Sequence, residues 1–386
     1  MRSVRTKSCA ACLLLLGLAG TACTSGSRRT STQGAASTGA TGAVSSLGSA
    51  STATAGPSRS LPPLPPQPAD VPFPTVRWPR GPLPAGITKS GIDAEVKQTL
   101  GGPNPTELRS LLVVKGGKLV YETYGPRDGP NSMMTSWSIA KSFTSAVIGL
   151  LVGDGKLRLN GPAPVRAWAR ANDPRHAITI AELLHMSSGL KWDEAYTNSP
   201  DSDVFKLIGE PNASGYAASL PLKAKPGTVW NYSTGTGAIL AGIIIDTLGS
   251  EQAAEHYIRT RLLLPIGIKS TRFLHDKSGR WFGGIGADST AQDFARLGLL
   301  YLRDGVWDHK RILPAGWVDY ARTPGPDPQY GALWWLEYEP GTFTAVGLAG
   351  QYILVAPALD LVIVVTSTSN AASGLLLAVY HTFAAA

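Results

Sequence analysis

The sequence has little cysteine and little charge. Three of its 386 residues are cysteines, and all of them, Cys9, Cys12 and Cys23, lie in a leader-like stretch at the N-terminus. Removal of that leader would leave at most one thiol, so we expect no intrachain disulfide. Charged residues make up 16% of the chain and hydrophobic residues 43%. This balance is typical of a globular protein that an apolar core stabilises.

The sequence also lacks the motifs of two enzyme classes, the zinc enzymes and the Ser-His-Asp hydrolases. The sequence has no H-E-x-x-H pair, its six histidines are scattered, and no cysteine pair remains for a metal. We therefore predict neither a metal nor an organic cofactor. No G-x-S-x-G turn surrounds a serine, which argues against a conventional Ser-His-Asp hydrolase. His185 is expected to pack or to cap a helix end.

The formal charge of +8 is concentrated near the N-terminus. Residues 1–86 hold eight of the 35 Lys and Arg residues but only one of the 27 acidic residues, Asp70. The rest of the chain therefore carries a net charge of only about +1. The basic balance belongs to the leader and the segment after it, and it gives no support for nucleic-acid binding by the domain.

Residues 1–22 have the pattern of a secretory signal peptide. Arg2, Arg5 and Lys7 precede the apolar run ACLLLLGLAG, which is too short to span a bilayer. The following AGTAC resembles a bacterial lipobox, although Gly20 stands where a large aliphatic residue is usual. We expect an exported lipoprotein, attached through Cys23 at the outer face of the cell membrane. Cleavage near Ala22 with plain secretion is the alternative.

Residues 23–86 are predicted to be a disordered tether. The stretch up to about residue 60 consists almost entirely of Ser, Thr, Gly and Ala and contains no acidic residue. Residues 57–84 are rich in proline, which favours extended polyproline II structure. We therefore expect the folded domain to span residues 87–386.

From residue 87 the pattern becomes that of an α+β domain. GIDAEVKQTLG predicts a short helix, and LRSLLVVKGGKLVYETYG predicts two strands joined at Gly116 and Gly117. Helical patterns cover residues 138–260, and strand-like segments return at YGALWWLEY, FTAVGLAGQYILVAP and DLVIVVTSTS. Strands at both ends with helices between them predict a central antiparallel sheet flanked by helices, with a mainly helical subdomain.

The segment SWSIAKSFTSAVIGLLVGDGK places a serine and a lysine at the start of an apolar helix. Ser138 and Lys141 are one turn apart, so their side chains can meet. The helix is apolar nearly all round, which predicts burial. Burial lowers the pKa of a lysine toward a neutral amine, and such an amine beside a hydroxyl can act as its base. The alternative is a serine cap followed by a lysine that reaches solvent.

Two later segments also contain candidate site residues. In KPGTVWNYSTGTGAILAG, Tyr232 precedes a second apolar helix that starts near Gly235, and its phenol is expected near Ser138. A tyrosine half-buried at a strand-to-helix corner is the alternative. In GLAGQYILVAP, Gly347 and Gly350 interrupt a strand pattern, which indicates either the close approach of a ligand or a bulge.

In this order and spacing, SIAK, YST and LAG resemble the S-x-x-K, Y-x-N and K-T-G motifs of the serine β-lactamase and penicillin-binding superfamily. GKLRLNGPAP, ITIAELLHMSSGLKWDEAY, LLLPIGI and TAQDFARLGLLYLRDG are similar as well, so the resemblance spans residues 88–386. The most similar pattern is that of class C β-lactamase-like serine hydrolases of the 6-aminohexanoate-dimer hydrolase and carboxylesterase type. The resemblance implies a β-lactamase-like fold.

The resemblance also implies roles for individual residues. Ser138 would be the acylated nucleophile, Lys141 its base and Tyr232 the proton relay to the leaving group. The backbone N–H groups of Ser138 and Gln351 would form the oxyanion hole. Four further residues would contact the substrate: Tyr196, Thr234, Leu348 and Gly350.

Two departures from the family pattern bear on the substrate. Thr234 replaces the asparagine of Y-x-N, and Leu348 and Ala349 replace the lysine and threonine of K-T-G, which would hold a substrate carboxylate. We therefore expect an exported serine hydrolase that cleaves a small ester or amide through an acyl-enzyme. There are two alternatives. The first is an enzyme of the penicillin-binding type, such as a D,D-peptidase, or a β-lactamase. The second is a non-catalytic binding or sensor module. The oligomeric state is not predicted.

Overall fold

The computed structural model describes residues 61–101, 108–196, 201–369 and 372–386. The predicted signal peptide, Cys23 and the predicted tether up to residue 60 lie outside these ranges. Within them, the helices are α1 (Lys89–Gly101), α2 (Ile139–Gly153), α3 (Ile180–Leu184), α4 (Asp203–Gly209), α5 (Ala213–Ser219), α6 (Thr234–Leu248), α7 (Glu251–Ile258), α8 (Ala291–Leu302), α9 (Trp317–Ala321) and α10 (Ser373–Ala384). None of the helices in the described ranges is long and apolar enough to cross a membrane.

A six-stranded antiparallel sheet lies between these helices, with the strand order β2-β1-β10-β9-β8-β7. Its strands are β1 (Leu108–Lys115), β2 (Lys118–Tyr124), β7 (Trp335–Leu336), β8 (Phe343–Gly347), β9 (Gln351–Ala356) and β10 (Leu361–Ser367). Two small hairpins pair β3 (Arg272–Phe273) with β4 (Ala287–Asp288) and β5 (Val306–Trp307) with β6 (Lys310–Arg311). The predicted α+β fold with a central antiparallel sheet is confirmed.

The hairpin between β1 and β2 turns at the two predicted glycines. Gly116 and Gly117 have φ angles of 58° and 73°. A tight hairpin turn of the primed type needs positive φ at both central positions, which glycine adopts without strain.

Both faces of the sheet are covered by helices. Along β1, Leu111 and Val113 belong to one apolar core with residues of α1 and α10, whereas Leu112 and Val114 belong to the other core. This alternation follows from the two-residue period of a strand. The second core also contains α2, α6 and α8, so the first turn of α2 lies deep inside the domain.

Residues 61–86 pack against the domain, and the prediction of a tether is therefore wrong for this segment. Val71 and Trp78 are buried, and the rings of Phe73 and Trp307 lie 5.0 Å apart. Three buried arginines donate hydrogen bonds to proline carbonyls of the segment: Arg296 to Pro74 O (2.8 Å), Arg303 to Pro65 O (3.1 Å) and Arg322 to Pro62 O (2.6 Å). Proline has no backbone N–H, so a proline-rich backbone has more carbonyl acceptors than N–H donors, and here the arginines supply some of the missing donors.

We predict that the Arg303 contacts stabilise the fold. The Arg303 side chain is 1% exposed and donates to Asp360 at 2.5 Å and to Gln67 at 2.8 Å. Arg303→Ala would leave these acceptors without a buried donor, so the free energy of unfolding should fall by about 2–3 kcal/mol in urea denaturation.

Arg311→Ala is the matched control for this measurement. Arg311 pairs with Asp304 at the surface, where both side chains are more than a third exposed. Its loss should change the free energy of unfolding by less than about 1 kcal/mol. Equal effects of the two substitutions would contradict the structural role of residues 61–86.

Candidate active site

The first turn of α2 holds a serine and a lysine in direct contact. Ser138 immediately precedes α2, and Lys141 lies within its first turn. The Lys141 Nζ and Ser138 Oγ atoms are 2.9 Å apart. Ser138 is 8% exposed and Lys141 only 1%, so this lysine does not reach solvent. The chain thus places an amine beside a hydroxyl inside the apolar core.

Two other groups lie within hydrogen-bond distance of the Lys141 amine. It donates to the Gly284 carbonyl at 2.9 Å and contacts the Thr234 hydroxyl at 3.2 Å. The Gly284 carbonyl comes close because α6 carries Gly237, where a Cβ would lie 2.3 Å from the Gly284 Cα. Burial lowers the pKa of Lys141 to about 8, and the charge of Glu194 partly opposes this shift.

Tyr232 lies beside both Ser138 and Lys141. Its phenol lies close enough to Ser138 to affect the pKa of the phenol, and its ring centroid lies 4.8 Å from the Lys141 Nζ. Burial and the negative charge of Glu194 raise the pKa of Tyr232 above its usual value. The phenol therefore keeps its proton at neutral pH and can donate it.

A group of aromatic rings fixes the orientation of Tyr232. Its ring centroid lies 5.5 Å from that of Trp335, 5.9 Å from that of Tyr330 and 6.3 Å from that of Trp230. The Tyr330 and Trp335 rings meet edge to face at 5.0 Å. Such tilted contacts favour one ring orientation over others, so the phenol is held toward Ser138.

The turn between β8 and β9 approaches the start of α2. A Cβ at Gly347 would lie 2.5 Å from the Ser136 carbonyl, so only glycine fits at this end of β8. Leu348 follows it and shares a cavity with Ser138. Within the described ranges, the backbone N–H groups of Ser138 and Leu348 have no hydrogen-bond acceptor.

Gln351 and Gly350 lie beside this turn rather than on the cavity. Gln351 pairs with Gly347 in the β8–β9 ladder, and its side-chain amide donates to the Ser367 carbonyl at 2.6 Å. A Cβ at Gly350 would lie 2.2 Å from the Ser369 carbonyl. Leu348 lines the cavity beside Ser138, whereas Gln351 and Gly350 are not among its described lining residues. The oxyanion role of Gln351 and the substrate contact of Gly350 stay predictions.

The cavity beside Ser138 is mainly apolar. It encloses about 360 Å³ of atom-free space, part of it open to solvent. Its lining consists of Trp137, Ser138, Tyr196, Val204, Phe205, Ile208, Thr234, Ile285 and Leu348. Among the described residues, no acidic or basic side chain lines it. Of the predicted substrate contacts, the cavity includes Tyr196, Thr234 and Leu348.

Glu194 is a site residue that the sequence analysis missed. Its carboxylate accepts hydrogen bonds from the Thr234 backbone N–H at 2.8 Å and from the Thr234 hydroxyl at 2.5 Å. The Tyr196 hydroxyl and the Trp192 indole N–H donate to it as well. In KWDEAY, two adjacent acidic residues precede Tyr196, and the local pattern does not show which of them faces inward.

His185 and the other titratable residues give no second catalytic cluster in the described chain. His185 caps the end of α3, as predicted, and its imidazole contacts the Ala181 carbonyl at 3.0 Å. Burial lowers the pKa of His185. Within the same ranges, no group of three or more His, Cys, Asp or Glu side chains is placed to hold a metal ion.

The grouping of the Ser138 hydroxyl, the Lys141 amine and the Tyr232 phenol agrees with the comparison with known families. Residues 109–385 match the family model described as Beta-lactamase. The chain belongs to the beta-lactamase family. It is a β-lactamase-fold serine hydrolase, and the proposed resemblance to this superfamily is confirmed.

The relatives of this chain include a hydrolase and a penicillin-binding protein. A 6-aminohexanoate-dimer hydrolase from Paenarthrobacter ureafaciens is 24% identical over 287 residues, which cover 67% of this chain and 72% of that protein. Penicillin-binding protein 4 from Amycolatopsis lactamdurans is 27% identical over 217 residues, or 48% of this chain. The match spans only 55% of that penicillin-binding protein.

Solved structures of β-lactamase-fold proteins resemble the structure of this chain. A Bacillus anthracis protein, provisionally assigned as a 6-aminohexanoate-dimer hydrolase, has a TM-score of 0.64 at 23% identity and covers 81% of this chain and 89% of its own. A beta-lactamase from Mycobacterium bovis has a TM-score of 0.55 at 19% identity and covers 75% and 99%, respectively. At these identities, the comparison shows the shared fold.

We predict that the reactivity of Ser138 in this β-lactamase-family chain increases with pH. A lysine base must be neutral, and the pKa of Lys141 is lowered to about 8. The rate at which a fluorophosphonate labels Ser138 should therefore rise from about pH 6 and level off above about pH 9.

Two variants control the labelling experiment. Ser138→Ala should not be labelled, since it removes the nucleophile. Lys141→Arg should be labelled near the background rate at every pH, because a guanidinium stays charged and cannot accept the proton. A labelling rate of the wild-type protein that is independent of pH would contradict a neutral lysine base.

Proposed function

We propose that this serine hydrolase cleaves ester or amide bonds of small substrates that have an apolar acyl group. The main support is the cavity beside Ser138, whose lining, as far as the structure describes it, is mainly apolar and includes no cationic side chain. Leu348 lies there, near the place where the family motif has a lysine for a substrate carboxylate. Similarity to a 6-aminohexanoate-dimer hydrolase agrees with an amide or ester substrate.

In the acylation step, neutral Lys141 accepts the proton of the Ser138 hydroxyl as Oγ attacks the carbonyl carbon. The new Oγ–C bond places negative charge on the carbonyl oxygen. The backbone N–H groups of Ser138 and Leu348 can bind this oxygen, and such donors typically contribute about 3 kcal/mol each to transition-state stabilisation.

The leaving group departs with a proton from Tyr232. Lys141, now an ammonium, returns the proton it gained from Ser138 to the phenol, so the base is neutral again. In deacylation, water gives a proton to Lys141 and its oxygen attacks the acyl carbon. The Ser138 oxygen then leaves with that proton, and the carboxylic acid product is released.

A D,D-peptidase or another penicillin-binding-type activity is the second candidate. It is favoured by similarity to penicillin-binding protein 4, although the match covers about half of that protein. The apolar lining at Leu348 argues against it, because a D-Ala-D-Ala peptide ends in a carboxylate that needs a cation or several donors. Direct contact between Ser138 and Lys141 argues against a non-catalytic sensor.

A panel of substrates distinguishes these activities. We expect the purified protein to hydrolyse short-chain p-nitrophenyl esters or a 6-aminohexanoate dimer, whose charged ends are separated from the scissile amide by long methylene chains. It should act much less on a chromogenic cephalosporin or a D-Ala-D-Ala peptide, in which the carboxylate lies close to the scissile bond. Ser138→Ala should lower kcat by a factor of about 10⁴ or more. Activity on the D-Ala-D-Ala peptide alone would overturn the substrate assignment, and full activity of Ser138→Ala would overturn the mechanism.

We further propose that the protein is exported and anchored by a lipid on Cys23. The charged and apolar pattern of residues 1–22 supports this proposal. In cells fed a labelled fatty acid, the full-length chain should become labelled and stay with membranes, whereas Cys23→Ser should lose the label. Equal labelling of both chains would contradict attachment at Cys23, and retention inside the cell would contradict export.

A further inference from the structure

We propose that Glu194 is a positioning residue that turns the lone pair of Lys141 toward Ser138 by fixing the direction of the Thr234 hydroxyl. This inference rests on the proposed serine-hydrolase function. Glu194 touches Thr234 but does not contact Ser138 within the described chain, so its effect on the reaction is exerted through Thr234 and Lys141.

The contacts of Glu194 fix the donor at each hydrogen bond. An ionised carboxylate can only accept. Both its oxygens accept from Thr234, Oε2 from the backbone N–H at 2.8 Å and Oε1 from the hydroxyl at 2.5 Å. The Trp192 indole and the Tyr196 hydroxyl donate to the same carboxylate and hold it in place.

The Thr234 hydroxyl has a single proton, and that proton is committed to Glu194. Toward Lys141, 3.2 Å away, the hydroxyl can therefore only accept. The Gly284 carbonyl, 2.9 Å from the same amine, is also an acceptor only. Two of the three groups around the amine are thus fixed as acceptors.

A neutral amine has two N–H bonds and one lone pair. Its N–H bonds are directed to Thr234 and Gly284, so the lone pair faces the remaining neighbour, the Ser138 hydroxyl at 2.9 Å. This is the direction from which Lys141 must take the serine proton. Without Glu194, the threonine hydroxyl could rotate and donate to Lys141, which would occupy the lone pair.

Glu194 also acts on Lys141 through its charge. The titratable groups that face the amine are Glu194, from the segment after α3, and the Tyr232 phenol, from the segment before α6. The Glu194 charge raises the pKa of Lys141 and opposes the effect of burial. Loss of the charge should therefore move the acid limb of the pH profile to lower pH, while loss of the orientation lowers the maximal rate.

The test compares Glu194→Gln with Asp193→Asn in the full-length protein. Glutamine keeps the size of the side chain, but its amide can donate to the Thr234 hydroxyl and reverse that hydrogen bond. Asp193 is an exposed neighbour on the same segment whose carboxylate accepts from the Ala195 N–H rather than from Thr234. The readouts are kcat and KM for a p-nitrophenyl ester from about pH 6 to pH 10 and the rate of fluorophosphonate labelling.

We expect Glu194→Gln to lower the plateau of kcat by at least about tenfold and to shift the acid limb to lower pH. Asp193→Asn should show neither change. Thr234→Val should lower kcat as Glu194→Gln does, and Thr234→Ser should lose much less because it keeps the hydroxyl. The double variant of Glu194→Gln and Thr234→Val should be no slower than the slower single variant, because both substitutions break one chain of contacts.

Three results would overturn the proposal. They are an unchanged acid limb and plateau in Glu194→Gln, the same changes in Asp193→Asn, or multiplied losses in the double variant. Thermal unfolding of each variant separates loss of folding from loss of orientation, since misfolding would lower the rate without moving the acid limb. If the wild-type protein cleaved no ester or amide, the proposed function would fail, and fluorophosphonate labelling would still test Glu194.

Discussion

The enclosure of the Lys141 amine in the apolar core is the constraint on which the rest of the site depends. Moving an ammonium out of water is costly, and the cost falls when the amine gives up its proton. The surrounding acceptors, the Thr234 hydroxyl and the Gly284 carbonyl, suit a neutral amine as well as a charged one. The same burial that would destabilise a charged side chain therefore prepares a base.

Several features of the fold serve this enclosure. α2 is apolar on nearly every face, because it lies between the sheet and the other helices of the large core. Gly237 of α6 lets the backbone at Gly284 come close enough to reach the amine. The aromatic rings around Tyr232 hold its ring beside the Lys141 amine. The chemistry of one side chain thus depends on packing contributed by distant parts of the chain.

The cavity and the proline-rich segment are two features of this fold that lie outside the Ser138–Lys141 contact. The end of β8 brings Leu348 to the cavity, and its apolar side chain gives that wall no charge for an anionic substrate. Residues 61–86 close over another part of the domain, where buried arginines bind proline carbonyls. Both features depend on contacts between residues far apart in sequence.

Much of the fold and part of the site could be predicted from local patterns. The alternation of apolar residues predicted the strands, two glycines predicted the hairpin, and an apolar helix with a lysine in its first turn predicted a buried base. These features are encoded within a few residues of each other, because strand and helix periods and turn conformations are local properties. Ser138 and Lys141 belong to the same helical turn, so their contact was predictable too.

Other features were decided only by the tertiary structure. Glu194 reaches Thr234 from 40 residues away, and nothing in KWDEAY distinguishes its inward carboxylate from the exposed one of Asp193. Gln351 follows the third motif and is the predicted oxyanion residue, but only the structure shows that Leu348 of the same turn lines the cavity beside Ser138. The proline-rich residues 61–86 were predicted to be a tether because local sequence does not show their partners, which are arginines more than 200 residues later. The sequence by itself determined the local patterns that contain the serine, the lysine and the tyrosine. The folded chain decided the neighbours of these residues, because hydrogen bonds and burial depend on distance in space.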